Sequence, residues 1–187
     1  MALPQALLAS LLVDGPCSGY DMVKRFDEKI SCYWMASHQQ VYKTLRELEN
    51  AGWVSSETIT QTSRPNKNIY SITSLGKENL AHWVLTPSEP TTIREDLMIK
   101  TQVGFLVPRP AILDELKRRH QIHLENLAVL KTIEKEEFGK IETLSLAEKF
   151  DYLTLRRGIR FESDWVLWCE EAIEMIETHQ EDQEHQT

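Results

Sequence analysis

Apolar residues recur at helical spacing over residues 34–54 and divide this stretch into two opposed faces. At 3.6 residues per turn, one face is apolar and holds Val41, Leu45 and Leu48. The opposite face is polar and holds Gln39, Lys43, Arg46 and Asn50. Ser37 and Gln40 have the spacing of a capping box, and Gly52 follows the last turn, where a left-handed residue commonly ends a helix. The pattern predicts one capped helix whose outer face carries the amide and cationic groups that pair with base edges and phosphates.

The preceding residues predict two further helices. The first helix has its apolar positions at Leu3, Leu7 and Leu11, and it tolerates Pro4 in its opening turn. The dipeptide at 15–16, Gly-Pro, ends this helix. Ser18 and Asp21 predict the cap of a second helix, whose inner face would hold Met22, Phe26 and Ile30.

The residues after Gly52 predict a β-hairpin and a closing helix. Residues 54–61 are rich in β-branched side chains, and residues 68–73 alternate between apolar and polar. Between them, residues 62–67 form a predicted turn whose cations are Arg64 and Lys67. A last helix over residues 75–85 would close the domain, with Leu80, Trp83 and Val84 as its apolar residues. Three helices, a hairpin and a helix in this order predict a winged helix-turn-helix domain, in which the hairpin of residues 54–73 is the wing.

The second half of the chain predicts long amphipathic helices. A helix over residues 94–106 is followed by a long one that opens at Pro108 and ends near Gly139. Its seam comprises Leu113, Leu116, His120, His123, Leu127 and Leu130. The third segment carries an apolar stripe, interrupted at Gly158, of Phe150, Leu153, Phe161, Trp165, Trp168, Ala172 and Met175. Because these faces are too extensive for a thin monomer to bury, we expect the seam and the stripe to form a two-fold dimer.

The predicted fold class is mainly α: a winged helix-turn-helix DNA-binding domain followed by a long-helix dimerisation domain. We assign residues 1–85 to the first domain, 86–93 to a Pro- and Ser/Thr-rich linker, 94–180 to the second domain and 181–187 to a flexible tail.

The net charge of −8 lies entirely in the second half of the chain. Residues 1–85 hold eight Lys/Arg and eight Asp/Glu, whereas the remainder holds 13 of the 21 cations and 21 of the 29 acids. DNA binding requires a local basic patch rather than a basic protein. The charge therefore does not exclude it.

Several classes of function have no support in the sequence. It contains no Gly-rich phosphate loop, no G-x-S-x-G elbow and no H-E-x-x-H, so we expect no enzyme and no cofactor. Three scattered cysteines fit neither a disulfide framework nor a zinc site. No apolar run approaches a membrane span and residues 1–4 do not resemble a signal peptide, so we expect a cytoplasmic protein without membrane contact.

Some residues have two interpretations. His38 would meet phosphates or face water, and Tyr42 would contact phosphate or pack beneath the wing. His120 and His123, which have no obvious carboxylate partner, fit a polar dimer seam better than a metal site. Buried, inert thiols explain Cys17 and Cys32 better than a redox switch. Three tryptophans would line an effector pocket or pack in the core, and core packing is the better explanation for Trp34, Trp165 and Trp168.

The first half of the chain resembles the PadR-type transcriptional regulators of bacteria. The resemblance rests on GPCSGYD at 15–21, ASHQQVYKTL at 36–45, LENAGWV at 48–54 and RPNKNIYSIT at 64–73, with Gly76 and Trp83. The second half is similar to the larger, virulence-activator-related subgroup through REDL at 94–97, RRG at 156–158 and a Trp-rich terminal helix.

The resemblance implies a homodimer that binds an inverted repeat in double-stranded DNA and regulates nearby genes, as a repressor in our interpretation. A small-molecule effector, of unknown identity, is a further expected partner. The candidate DNA-binding residues are Ser37, His38, Gln39, Gln40, Tyr42, Lys43, Arg46, Arg64 and Lys67. The alternative is a winged-helix module that docks a protein through the same helix. Cations at both the helix and the wing favour DNA.

Overall fold

The computed structural model describes residues 2–26, 36–60, 66–90 and 94–179. The chain divides into two compact units, Met1–Thr91 and Thr92–Thr187. Within the described residues, no helix is both long enough and apolar enough to cross a membrane.

The first unit contains the predicted helices and strands. In chain order they are α1 (Leu3–Val13), β1 (Cys17–Ser18), α2 (Gly19–Arg25), α3 (His38–Asn50), β2 (Val54–Ile59), β3 (Lys67–Ile72) and α4 (Ser74–Val84). The two-residue strand β1 was not predicted, because so short a segment has no periodicity to detect. It adds a third strand to the predicted hairpin.

The three strands form an antiparallel sheet in the order β1-β3-β2. In the hairpin, Val54 lies opposite Ile72 and Ile59 lies opposite Lys67. On the other edge of β3, Cys17 pairs with Tyr70 and Ser18 with Ile69. β3 is therefore hydrogen-bonded on both sides, and it joins the wing to the segment that leads into α2.

The core of the first unit is made by the apolar faces of its helices and one side of the sheet. Its buried members are Leu7, Leu8, Leu11, Cys17, Met22, Val23, Phe26, Val41, Leu45, Leu48, Val54, Tyr70 and Leu80. The predicted inner faces of α1, α2 and α3 are confirmed wherever the structure describes them, and Ile30 lies outside the described residues. Of the apolar residues of α4, Leu80 is buried, whereas Trp83 and Val84 near its end are exposed.

The helix ends of the first unit are fixed by local hydrogen bonds. A capping box starts α2, in which the Ser18 hydroxyl accepts from the backbone N–H of Asp21 at 3.1 Å. The Arg25 guanidinium donates to the carbonyl of Gly15 at 2.9 Å and to that of Asp14 at 3.0 Å. Arg25 thus holds the turn after α1.

The second unit consists of α5 (Asp96–Gln102), a 3₁₀ turn (Gly104–Leu106), α6 (Arg109–Glu137), a 3₁₀ turn (Ile141–Thr143) and α7 (Leu146–Glu177). The predicted helix over residues 94–106 is too long, because Glu95 caps α5 by accepting from the N–H of Leu97 at 3.1 Å. α7 runs without interruption through Gly158, which is buried.

The helices α6 and α7 pack against each other within one chain. The buried positions of α6 include Ile112, Leu116, His123, Leu127 and Leu130. Those of α7 are Gly158, Ile159, Glu162, Val166 and Cys169. The predicted stripe on α7 is therefore offset from the row that is most deeply buried. A polar residue, Glu162, occupies the middle of that row.

Candidate DNA-binding surface

α3 has the two faces that the sequence predicted. Val41, Leu45 and Leu48 are almost completely buried in the core of the first unit. Gln39, Lys43, Arg46 and Asn50 on the other side are exposed. Burial of one face fixes the rotation of the helix about its axis, so the polar side chains project outward as a group.

The start of α3 is held by the predicted capping box. The Ser37 hydroxyl accepts from the N–H of Gln40 at 3.3 Å, and the Gln40 side-chain oxygen accepts from the N–H of Ser37 at 2.8 Å. Both residues and the adjacent His38 and Gln39 are exposed. The helix dipole adds partial positive charge at this end, where an anion would be stabilised.

The end of α3 is equally well defined. Gly52 has a φ of +72°, a left-handed conformation that glycine adopts without strain. The N–H of Trp53 then reaches back to the carbonyl of Leu48 at 2.9 Å. This turn leads directly into β2, where the hydroxyl of Ser56 donates to the Glu49 carboxylate. The helix is thus joined to the sheet at its C-terminal end.

Lys43 carries an accessible charge on the outer face. Its side chain is 76% exposed and lies 3.8 Å from the carboxylate of Glu47, one turn further along. Exposed ion pairs of this kind are weak and screened by salt. A phosphate approaching α3 can therefore replace Glu47 as the partner of Lys43.

Tyr42 packs against the start of α2. A Cβ atom placed on Gly19 would lie 2.4 Å from Cε1 of the Tyr42 ring, so in this position the ring occupies the space that a side chain at residue 19 would take. Neither sequence interpretation of Tyr42 described this contact. Its signal in the sequence is the glycine that opens α2.

Of the two cations predicted for the wing, the structure describes Lys67. Arg64 lies outside the described residues. Lys67 belongs to β3 rather than to the turn, so the predicted extent of the turn is wrong. The Lys67 ammonium is 2.9 Å from the Asp21 carboxylate of α2. Sequence analysis missed this role of Asp21, because the capping signal accounted for that residue fully.

The predicted dimerisation residues separate into covered and uncovered groups. Leu116, Leu127 and Leu130 are buried against the chain's own helices, and Leu113 is partly buried. Trp165 and Trp168 are partly buried against the small cluster of Leu97, Ile112 and Leu116. Core packing of these two tryptophans is the interpretation that the structure supports. Trp34 lies outside the described residues.

Four residues of the predicted stripe are exposed in the single chain. Phe150 is 64% exposed, Leu153 is 61% exposed, Phe161 is 40% exposed and Met175 is 66% exposed. Phe150 and Leu153 lie about one turn apart on the N-terminal part of α7, with Leu146 on the same face. This part of α7 therefore carries apolar surface that the described residues of the chain leave uncovered.

Both histidines of the α6 seam have carboxylate partners on α7, contrary to the sequence analysis. His123, 8% exposed, lies with Nδ1 2.6 Å from Glu162, and His120 Nε2 lies 3.1 Å from the more exposed Glu170. The His123 ring also stacks on Trp165 at 4.8 Å. Among the described residues, no group of three or more potential ligands is arranged to hold a metal ion.

Burial favours the inert interpretation of one cysteine. Cys17 is buried in the first core, and desolvation raises the pKa of its thiol. A protonated, buried thiol is a poor nucleophile. Cys32 lies outside the described residues.

Comparison with known families places both halves of the chain. Residues 7–82 match the "Transcriptional regulator PadR-like family", and residues 93–177 match "Virulence activator alpha C-term". A probable transcriptional regulator of Mycobacterium tuberculosis is 34% identical over 95% of this chain and 98% of its own length. The negative transcriptional regulator PadR of Bacillus subtilis is 27% identical over 91% of this chain and 95% of its own length.

Solved structures agree with these sequence relatives. Bacillus subtilis PadR in complex with operator DNA has a TM-score of 0.78 and 26% identity, covering 94% of this chain and 99% of that one. The virulence activator AphA of Vibrio cholerae has a TM-score of 0.72 and 26% identity, covering 94% of this chain and 98% of that one. The capped third helix with one buried and one exposed face, and the two long helices that pack together, agree with these matches. The chain belongs to the PadR-like family of transcriptional regulators.

Proposed function

We propose that the chain regulates transcription by binding operator DNA through the outer face of α3. The observation that carries this proposal is the face formed by Gln39, Lys43, Arg46 and Asn50, opposite a fully buried apolar face. Amides pair with adenine edges, and arginine or lysine pairs with guanine or phosphate. The similar PadR structure solved with operator DNA supports the same interpretation.

The N-terminal turn of α3 would approach the phosphate backbone. Ser37, His38 and Gln40 lie there, where the helix dipole favours anions. Tyr42 would add its hydroxyl from the flank. Arg64, in the segment between β2 and β3, would bring a further cation from the wing.

A mobility-shift titration with duplex DNA from upstream of the chain's own gene tests this proposal. Replacing Lys43 and Arg46 together by alanine should weaken binding at least about tenfold, since one base-edge contact is worth ~1–3 kcal/mol. Lys77→Ala, which removes an exposed cation from α4, is the matched control and should change the affinity less than about twofold. A folded double variant with unchanged affinity would reject α3 as the DNA reader and favour a protein-docking module.

We further propose that residues 1–85 bind DNA, and that residues 94–180 join two copies into a homodimer. The support is the exposed apolar face of Leu146, Phe150 and Leu153 on α7. A two-fold dimer would place two α3 helices on successive major grooves, roughly 34–36 Å apart, and so select an inverted repeat.

Sedimentation velocity tests the dimer. Phe150→Glu with Leu153→Glu should give a monomer of unchanged helix content, because neither side chain supports the core of its own chain. Lys149→Glu, which adds a carboxylate at the neighbouring exposed position, should remain dimeric. A monomeric parent protein would refute the proposal, and a dimeric double variant would place the interface elsewhere. Leu127 is unsuitable for this test because its burial within the chain would confound assembly with folding.

We propose repression as the direction of control, because a relative that spans nearly the same length is named a negative regulator. Deleting the gene should raise expression from its own promoter in a reporter strain, and a fall would instead identify an activator. A PadR structure contains p-coumaric acid, which makes this compound the first effector to test. Release of the bound duplex would identify phenolic acids as effectors, whereas an unchanged shift would exclude this one.

A further inference from the structure

The Asp21 carboxylate joins α2 to the first residue of the wing strand. Its Oδ2 atom accepts from the Ser18 hydroxyl at 2.7 Å and from the Ser18 N–H at 3.3 Å. The same oxygen lies 2.9 Å from the Lys67 ammonium. The first two bonds belong to the cap of α2, whereas the third crosses to β3. One side chain therefore holds a helix start and a strand start together.

The position of Lys67 in the sheet gives this contact its importance. Lys67 is opposite Ile59 in the last pair of the β2–β3 ladder, where the hairpin enters residues 60–66. The β1–β3 ladder ends at Ser18 opposite Ile69, which follows Lys67 by two residues in β3. Residues two apart on a strand point to the same side. The Asp21–Lys67 pair thus continues the link between the wing and the start of α2 beyond the last backbone pairing.

The pair also changes the electrostatic role of both residues. An unpaired aspartate beside a DNA-binding surface would repel phosphates, and an unpaired lysine would attract them. At 2.9 Å the two charges largely cancel at long range, and each side chain remains about 40% exposed. On α3, by comparison, the Lys43 ammonium lies 3.8 Å from the Glu47 carboxylate, a longer and more exposed pair.

We propose that Asp21 is a positioning residue for operator binding, which holds the base of the wing against α2 through Lys67. In this arrangement Lys67 acts through Asp21 and does not contact phosphate. The inference rests on the proposed binding of DNA, and it reverses the ordinary expectation for an acid near DNA. Removing this negative charge should weaken the complex.

Fluorescence anisotropy of the full-length protein on a duplex from its own upstream region, measured over a range of salt, tests the inference. Asp21→Asn keeps a capping side chain but loses the charge, and Lys67→Met loses only the cation. Each should weaken binding about two- to fivefold, the range expected for one exposed ion pair. The double variant should bind DNA no more weakly than either single variant. Lys67→Arg, which keeps the positive charge, should bind with the parent affinity. The slope of affinity against salt should not change.

The other outcomes overturn the inference in distinguishable ways. Tighter binding by Asp21→Asn would mean that the acid only repels DNA or withdraws Lys67 from it. A salt slope flattened by about one in Lys67→Met would show that Lys67 meets a phosphate directly. Ser18→Ala, which removes the cap hydroxyl but leaves both charges, controls for damage to α2 and should bind more tightly than Asp21→Asn. Failure of the parent protein to bind any upstream duplex would refute the proposed function itself.

Discussion

Replacing Gly76 by alanine should destabilise the first unit, although this change ordinarily stabilises a helix. Gly76 lies in the first turn of α4, where its N–H donates to the Thr73 hydroxyl at 3.0 Å. A Cβ atom at this position would lie 2.1 Å from the carbonyl oxygen of Trp53. That oxygen belongs to the backbone between α3 and β2 and already accepts from the N–H of Thr73 at 3.0 Å. It cannot rotate away as a side chain can.

The magnitude follows from the displacement that the new methyl group requires. The Cβ–oxygen distance must grow from 2.1 Å to the 3.4 Å at which ordinary contact begins. Overpacking of this kind costs ~1–3 kcal/mol. The movement also disturbs the Thr73 hydroxyl's 2.7 Å bond to the Gly52 carbonyl and the Thr73–Trp53 bond, each worth ~1 kcal/mol. The higher helix propensity of alanine offsets at most ~1 kcal/mol of this loss in stability. We expect a net loss of about 2–4 kcal/mol in the free energy of unfolding.

Thermal unfolding followed by circular dichroism and tryptophan fluorescence measures this loss. For a unit of this size the midpoint should fall by at least about 10 °C. Gly19→Ala is the matched control, because there the obstructing atom is the edge of the Tyr42 ring, 2.4 Å away, on a partly exposed side chain. That ring can move, so we expect a change within about 1 kcal/mol. A Gly76→Ala protein as stable as its parent would refute the steric argument.

Three further predictions concern ionisable and reactive groups. The hydrogen bond from the Ser18 hydroxyl, and then that from Lys67, lower the pKa of Asp21 in the folded protein. The stability that this carboxylate contributes should therefore be present above about pH 4, the ordinary pKa of aspartate, and be lost as the pH falls through the lower pKa of the folded state. Comparing the acid unfolding of Asp21→Asn with that of the parent protein checks this sign. Glu162→Ala, which removes the partner of buried His123, should cost about 3 kcal/mol in urea unfolding, whereas Glu170→Ala at the exposed His120 pair should cost less than about 1 kcal/mol. In a Cys32→Ser variant, Cys17 and Cys169 should react with a thiol reagent only after unfolding, since burial raises the pKa of both thiols; rapid labelling of the folded protein would contradict their burial.

The first unit was largely predictable because its signals are local. The Ser37–Gln40 box and Gly52 define α3 within sixteen residues of sequence, and every member lies where the pattern placed it. A buried face at helical spacing fixes the opposite face without further information. The surface proposed to bind DNA therefore follows from one short segment.

The remainder depends on pairs of residues that are distant in sequence. The sequence around His123 gives no indication that its partner is Glu162, which is 39 residues away. The available signal was a single acid in an apolar row at spacings of three and four, between Ile159 and Val166. The larger aromatic residues beside that row directed the prediction to a neighbouring stripe, because size and hydrophobicity do not by themselves define the face that a helix buries within its own chain.

The strand order β1-β3-β2 has a consequence for how the first unit opens. Among the residues that the structure describes, β3 is bonded on both edges, whereas β1 and β2 each pair with β3 alone. The β1–β3 pairing also closes a loop of about fifty residues that contains both α2 and α3. Contacts so distant in sequence form late and impose a large loss of chain entropy. Amide hydrogen exchange should accordingly find the β3 amides that bond to β1 protected together with α3, so that α3 and β3 open as one cooperative unit.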